Sequence, residues 1–284
     1  MREEPWQLQV LKRSLKKKEK IKLLENRLDV SPSSRCLDLG CAQGTLSFFL
    51  RKQGGMWWSA DLDFINLKSA QGLLQTGLLQ VEPGPLPFKS GAFDLVVSLD
   101  YLEHLDEDEQ CLQEIHRVLK PNGRLILATP RTGTFFFLHR VRSLLGMKLE
   151  FYGHKREGYT RSRLESLLIR TGFVVRGRRN FARFFTELLE LAANVAYIRV
   201  FRPETPPGLR DGRIKPTTLE EFRSKKTAFR AYSFIYPFAW LVSRLDRLFF
   251  FQRGYGLMIW AEKASGKTQE QKPPGDGAWK PVKE

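Results

Sequence analysis

Four short stretches of the chain bring together residue types that can do chemistry. The first is Leu37-Asp38-Leu39-Gly40-Cys41-Ala42-Gln43-Gly44, a carboxylate followed by two spaced glycines. A carboxylate near a strand end, then a glycine turn opening a helix, lets a ligand approach the backbone closely. A dinucleotide would call for G-x-G-x-x-G, but residue 46 is Leu. That spacing argues against a pyrophosphate. The acidic loop suits a ligand carrying an ammonium and a sulfonium. The second stretch is Trp58-Ser59-Ala60-Asp61-Leu62-Asp63. Asp61 is placed to accept hydrogen bonds from ribose hydroxyls, while Asp63 fits a helix N-cap. Glu82 follows a third short strand, where an adenine edge would lie.

The third stretch is Asp100-Tyr101-Leu102-Glu103-His104. His104 offers a base, and the set Asp100, Glu103 and His104 offers ligands for a divalent cation. Local structure explains the same residues without either. The fourth runs from Tyr152-Gly153-His154 to Tyr159-Thr160, with Tyr101, His154 and Tyr159 as candidates to line an acceptor pocket. A solvated basic loop with one buried tyrosine accounts for it equally well. His116 and His139 read as structural or exposed.

These residues need a scaffold, and the hydrophobic pattern supplies one. Strands are predicted at 35–39, 56–60, 78–81, 93–98 and 124–129, with helices between them at 45–53, 64–76 and 106–119. The last helix is closed by Lys120-Pro121-Asn122-Gly123. Strands alternating with helices imply a parallel sheet covered on both faces. Beyond it the pattern predicts a helix at 160–171, a strand at 172–175 and a final strand at 254–262. The organisation expected is a basic amphipathic helix within 1–34, a core over 35–180, a helical insertion over 181–253, the last core strand in 254–264 and a disordered tail over 265–284.

Several segments, in order, resemble the class I S-adenosylmethionine-dependent methyltransferases of the type 11 kind. They are LDLGCAQG (37–44), SADLD (59–63), LPFKSGAFDLVVS (86–98), LEHL (102–105), EIHRVLKPNGRLILATP (114–130) and, more weakly, YTRSRLESLLIRTGFVV (159–175). The resemblance implies an α/β fold, a doubly wound, seven-stranded, mostly parallel Rossmann-like sheet with an antiparallel last strand. It implies S-adenosyl-L-methionine as cofactor. Asp38, Gly40, Cys41, Ala42 and Gly44 would surround the methionine moiety, Asp61 the ribose, and Leu62 and Glu82 the adenine, with Leu99 ending strand four. Ala42 stands where the family often has glycine, which implies a slightly altered loop. Asp100–His104 and His154–Thr160 also resemble stretches of the ubiquinone-biosynthesis O-methyltransferases. That likeness implies an oxygen nucleophile, with Asp100, Glu103 and His104 in the catalytic or cation-holding roles.

Charge points to the partners. Residues 131–264 carry 26 basic and 11 acidic groups, while the whole chain has a net charge of +16. Such a surface attracts phosphates on lipid or nucleic acid. Residues 231–242 (AYSFIYPFAWLV) are too short for a bilayer span, which takes roughly 20 residues, but suit an interfacial helix. A small-molecule or lipid-linked acceptor is therefore expected, with 181–253 facing an anionic membrane. An RNA methyltransferase is the rival on charge, yet strand four ends Ser98-Leu99-Asp100-Tyr101, without the N/D-P-P-Y/F motif of base-amino methyltransferases. A non-catalytic binding protein is the other rival. Cys36, Cys41 and Cys111 show neither metal spacing nor a disulfide framework, and no signal peptide is evident. A cytoplasmic protein, peripheral at the inner face of the membrane, is the expectation.

Overall fold

Strands buried on both faces read as near-continuous apolar runs, because helices cover both sides of the sheet. Three such runs, β1 (Arg35–Leu39), β2 (Met56–Asp61) and β4 (Phe93–Leu99), form the centre of the sheet in the computed structural model. The structure describes residues 4–133, 137–145, 153–201, 218–248 and 254–264. The remaining strands are β3 (Leu78–Gln80), β5 (Leu119–Pro130), β6 (Phe173–Phe181) and β7 (Gly256–Lys263). Their order is β3-β2-β1-β4-β5-β7-β6. β7 runs antiparallel to both β5 and β6, and the other pairings are parallel. This is the doubly wound, mostly parallel seven-stranded sheet expected, with its antiparallel last strand.

Helices α3 (Thr45–Lys52), α4 (Phe64–Leu74), α5 (Asp108–Val118) and α7 (Arg161–Arg170) connect the strands. Their starts are written locally. Asp63 accepts a hydrogen bond from Ile65 N at 2.7 Å, and Thr160 accepts one from Arg163 N at 3.3 Å, as N-caps do. The apolar core lies in two layers. One packs Leu112, Ile115, Leu164 and Leu168 of α5 and α7 onto the sheet, and the other packs Leu24 and Leu50 against Trp57 and Val97.

Some expected boundaries move, for physical reasons. The helix expected within 1–34 is two, α1 (Trp6–Leu11) and α2 (Leu15–Glu25), because the Ser14 hydroxyl accepts from Lys17 N and restarts the helix. β6 extends well past the expected 172–175. It is an edge strand, so Arg176 and Arg179 face water, and its run is not apolar. Lys120–Gly123 falls within β5, but pairing with β4 lapses there, between Phe93↔Leu119 and Leu95↔Arg124. Asn122 adopts a φ of 61° in that loop. The segment 181–253 is helical where described: α8 (Phe184–Phe201), α9 (Leu219–Ser224), α10 (Lys226–Ser243) and a 3₁₀ turn at Arg244–Arg247. A further helix, α6 (Phe137–Leu144), follows β5. Tyr152, the proline-rich stretch from Pro203 to Pro207, and the tail over 265–284 lie outside the described residues.

Candidate functional site

In an open α/β sheet the chain winds away in opposite directions from the point where strand order reverses, and the loops there part into a crevice. The reversal here lies between β1 and β4. The loops after these two strands carry Gly40–Gly44 and Asp100–His104. A cavity of about 940 Å³ opens between them, lined by Asp38, Asp61, Glu82, Asp100, His104 and His154 among others.

The turn after β1 is built by backbone geometry. Gly40 sits at φ 88°, and a Cβ there would lie 2.7–2.9 Å from the Tyr101 ring. Gly44 sits at φ 78°, with a Cβ position 3.0 Å from Ala70 and Leu74. Only glycine allows both the left-handed backbone and this packing. Gly40 N and Cys41 N donate to Ala60 O at 2.8 and 3.0 Å. Ala42 is also left-handed, at φ 46°, and its N–H donates to Asp61 Oδ2 at 2.8 Å. An alanine in that conformation costs about 1 kcal/mol or more. The altered loop expected at this departure is a strained residue pinned by Asp61.

Asp38 and Asp61, on this side, are held mainly by hydrogen bonds from uncharged donors. Asp38 is buried and accepts from the Ser47 hydroxyl. Burial pushes its pKa up to about 7, against the opposing effect of the Ser47 hydrogen bond. Burial also raises the Asp61 carboxyl, although Asn66, Asp63 N and Ala42 N all donate to it. Buried carboxylates that face a cavity suit a ligand that brings its own positive charge and hydroxyls.

The opposite wall differs in origin. Asp100 adopts φ 51°, with its N–H on Ala128 O at 2.8 Å, and its carboxylate pairs with Lys20 of α2. Burial pushes that carboxyl up, but Lys20 outweighs it and holds the pKa below the usual carboxylate range. Glu103 is fully buried, and neither carboxylate oxygen has a hydrogen-bond partner. Burial, then the charge of Asp100, drives its pKa well up from the usual carboxylate range. His104 Nδ1 lies 2.9 Å from Gly153 O. The tautomer that satisfies this contact protonates Nδ1 and leaves Nε2 as an acceptor. The His154 ring stands edge-on to His104, with centroids 4.8 Å apart. Burial and His104 lower the His154 pKa to about 3, so it stays neutral.

Donor atoms of Glu103, His104 and His154 lie within 4.8 Å of one another, the one such trio among the described residues that could hold a metal ion. Thus His154, from a distant loop, stands beside Glu103 and His104, whereas Asp100 is engaged by Lys20. The loop carrying His154 is clamped down by Lys155 N on Glu103 O at 3.0 Å and by Arg156 on Leu105 O at 2.7 Å.

Of the residues singled out in the sequence, Asp38, Gly40, Cys41, Ala42, Asp61, Leu62, Glu82, Leu99, Asp100, Tyr101, Glu103, His104 and His154 line the cavity. Gly44 does not; it caps α3 from behind. Tyr159 also does not belong to the pocket wall. It is a core residue whose hydroxyl donates to Asp108 Oδ2 at 2.8 Å. Sequence reading missed the roof. Lys16, Lys17 and Lys20 of α2, His139 and Arg142 of α6, and Glu187, Glu190 and Asn194 of α8 all line the cavity. Glu187 binds Lys16 and Arg142, each at 2.7 Å, and these cations hold its carboxyl low despite burial. The signal was faint: the spacing of Lys16 and Lys20 marks one helix face, but nothing local says what it faces. Cys36 and Cys111 are free thiols whose pKa burial pushes up to about 12, which leaves them unreactive.

Comparison with known proteins bears on this site. Residues 37–127 match a family model described as a methyltransferase domain. The human mitochondrial arginine-hydroxylase NDUFAF5 is 37% identical over 92 residues, 32% of this chain and 27% of that protein. The methyltransferase GfsG of Streptomyces halstedii is 30% identical over 113 residues, 37% of this chain and 41% of that protein. The chain thus spans less than half the length of either relative. Phosphoethanolamine N-methyltransferase 2 of Haemonchus contortus, solved with S-adenosyl-L-methionine, shares the fold with a TM-score of 0.54. It is 15% identical, over 87% of this chain and 53% of that one.

Proposed function

Because the core of this chain is a class I S-adenosylmethionine-dependent methyltransferase domain, we propose that it moves a methyl group from that cofactor to an oxygen of a small-molecule or lipid-linked acceptor. One observation carries the reading. The acidic turn Asp38–Ala42 and the polar cluster Glu103–His104–His154 open onto the same cavity, so donor and acceptor groups can meet there. The donor set suits the cofactor. Asp38 and the 40–42 backbone take the methionine end, Asp61 the ribose hydroxyls, Leu62 and Glu82 the adenine, and Leu99 closes the floor. When bound, the cofactor supplies an electrophilic methyl group on a sulfonium.

The chain's own residues do the rest. Positioning a nucleophile in line can supply roughly 7–11 kcal/mol of a barrier. Tyr101 packs over Gly40 and fixes the wall between the two ligands. His104 Nε2 takes the proton an acceptor hydroxyl gives up, while Gly153 O holds the ring by its Nδ1–H. Glu103, whose carboxyl burial favours in its protonated form, would hydrogen-bond the acceptor oxygen, or would hold a cation together with His104 and His154. Asp100 orients Lys20, and the roof from α2, α6 and α8 excludes water.

Calorimetry with S-adenosylmethionine and transfer of tritiated methyl into a fractionated cell extract test this reading. Binding, with label in the lipid or small-molecule fraction, is the expected result. Absence of binding at high micromolar cofactor would sink it. Binding without transfer would mark a non-catalytic protein, and label in RNA would make the acceptor a nucleic acid.

A further inference from the structure

Helix α10 has two unlike faces. Tyr236 and Ala239 are buried, and Tyr232 donates to Arg13 O at 2.8 Å, so one face seats the helix on the rest of the protein. The Lys18 ammonium lies 5.0 Å from the Tyr236 ring on that side. The other face is apolar and bare. Phe234, Phe238, Leu241, Leu245 and Leu248 recur at intervals of four and three, and are 89%, 69%, 60%, 39% and 69% exposed. Ile235 and Trp240 extend the stripe. Scattered exposed apolar residues need no explanation, but a contiguous stripe of this kind marks an interaction surface.

Along α10 and the turn after it the exposed charges have one sign, from Lys226, Arg230 and Arg247. Arg244 lies 4.3 Å over the Trp240 ring. Between Phe222 and Leu248 the sequence holds a single acidic residue, Asp246. It is buried and turned inward, accepting from Phe185 N at 2.8 Å and Thr186 N at 3.0 Å to start α8. With that acid turned inward, the stripe is flanked along its own helix and turn by exposed cations.

We propose that α10 and the turn after it lie in the plane of an anionic lipid bilayer, with the stripe in the acyl boundary and the arginines and lysines on the headgroup phosphates. Among the described residues no helix is long and apolar enough to cross a membrane. A basic amphipathic helix of this kind lies in the interface instead. A second copy of the chain would set the two cationic rims against each other. Single-stranded nucleic acid stacks on aromatic rings, whereas leucines and an isoleucine make up much of this stripe. The placement serves the cavity, because α8 packs on α10 and supplies Glu187, Glu190 and Asn194 to the cavity wall. An acceptor anchored by an apolar tail would then reach the roof from the membrane. The inference rests on the lipid-linked reading of the acceptor but is tested without turnover, so the two can fail separately.

The test is flotation of the full chain with vesicles of phosphatidylglycerol and phosphatidylcholine in equal parts, and with phosphatidylcholine alone. The chain should float with the mixed vesicles only, and high salt should weaken binding roughly tenfold or more, since headgroup attraction is screened. The triple variant Phe234→Ser, Phe238→Ser, Leu241→Ser should lose more than about tenfold in partitioning, with circular dichroism and cofactor affinity unchanged. Bromine-labelled acyl chains should quench the emission of the wild type, and the quenched part should be lost in Trp240→Phe, since Trp240 lies on the stripe. A chain that stays below the anionic vesicles overturns the proposal, as does a triple variant that floats like the wild type. So does a wild-type dimer that the triple variant turns into a monomer, or RNA binding that the same variant abolishes.

Discussion

The two walls of the cavity were made in different ways. The β1–β2 wall is acidic and local. Asp38 to Asp61 are neighbours in sequence, and its geometry is fixed by backbone conformation at Gly40, Ala42 and Gly44. The roof mixes cations and carboxylates, and its parts come from residues 16–20, 100–104, 139–143, 153–157 and 187–194. Its contacts are side-chain ion pairs such as Lys20–Asp100 and Arg142–Glu187. A wall made of backbone turns fixes one ligand tightly. A wall made of side chains on separate helices can be altered piece by piece without unmaking the sheet, which suits the part that selects an acceptor.

The contrast can be broken most sharply at Gly40. Gly40→Ala puts a methyl group into the Tyr101 ring on a left-handed backbone. We expect cofactor affinity to fall more than about a hundredfold and stability to fall by roughly 2–4 kcal/mol, read by calorimetry and urea melts. If affinity survives, the turn is more plastic than this comparison allows. Next in size is the pH dependence of cofactor binding. The raised pKa of Asp38, about 7, means its carboxyl is largely protonated below that pH. A cationic ligand favours the ionised form, so affinity should rise up to roughly tenfold per pH unit below 7 and level off above it. For the unliganded fold the sign is opposite. Stability on this account is full below about 4 and is lost as pH rises through 7. Asp38→Asn should flatten both profiles.

On the roof, Lys20→Met removes the partner of Asp100, which is itself partly exposed. A loss of about 1–2 kcal/mol is expected, with cofactor affinity within about threefold of wild type. A large loss of cofactor affinity would show that the walls are not independent. Tyr159→Phe should cost about 1 kcal/mol through Asp108 and leave methyl transfer intact, which would fit its place in the core. The smallest effect is expected at Ala42→Gly, which relieves a left-handed alanine and should stabilise by about 0.5–1 kcal/mol in thermal melts.

The strands and the acidic turn were legible because each is a local pattern. An apolar run, a glycine needing positive φ, or a cap such as Asp63 is decided within a few residues of itself. Gly44 and Tyr159 show the limit. The glycine belongs to the motif yet faces away from the cavity, and the tyrosine lies near His154 in sequence yet points into the core. Whether α1 and α2 were one helix depended on where the Ser14 side chain turned, against an uninterrupted apolar spacing. The edge strand β6 ran on through arginines because an edge strand keeps polar residues in water, and sequence alone does not say which strand is at the edge.

By itself, then, the sequence determined a set of strands and helices and a carboxylate-lined turn suited to a cationic ligand. Only the tertiary structure decided that Lys20 would sit on Asp100, 80 residues away, and that His154 would stand beside His104. It also decided that Asp246 would be turned inward, leaving the α10 stripe flanked along its own helix and turn by exposed cations. The reason is physical. Backbone conformation and hydrophobic period act over a few residues, but the partner of a buried charge is set by whichever distant segment packing brings within a few ångströms.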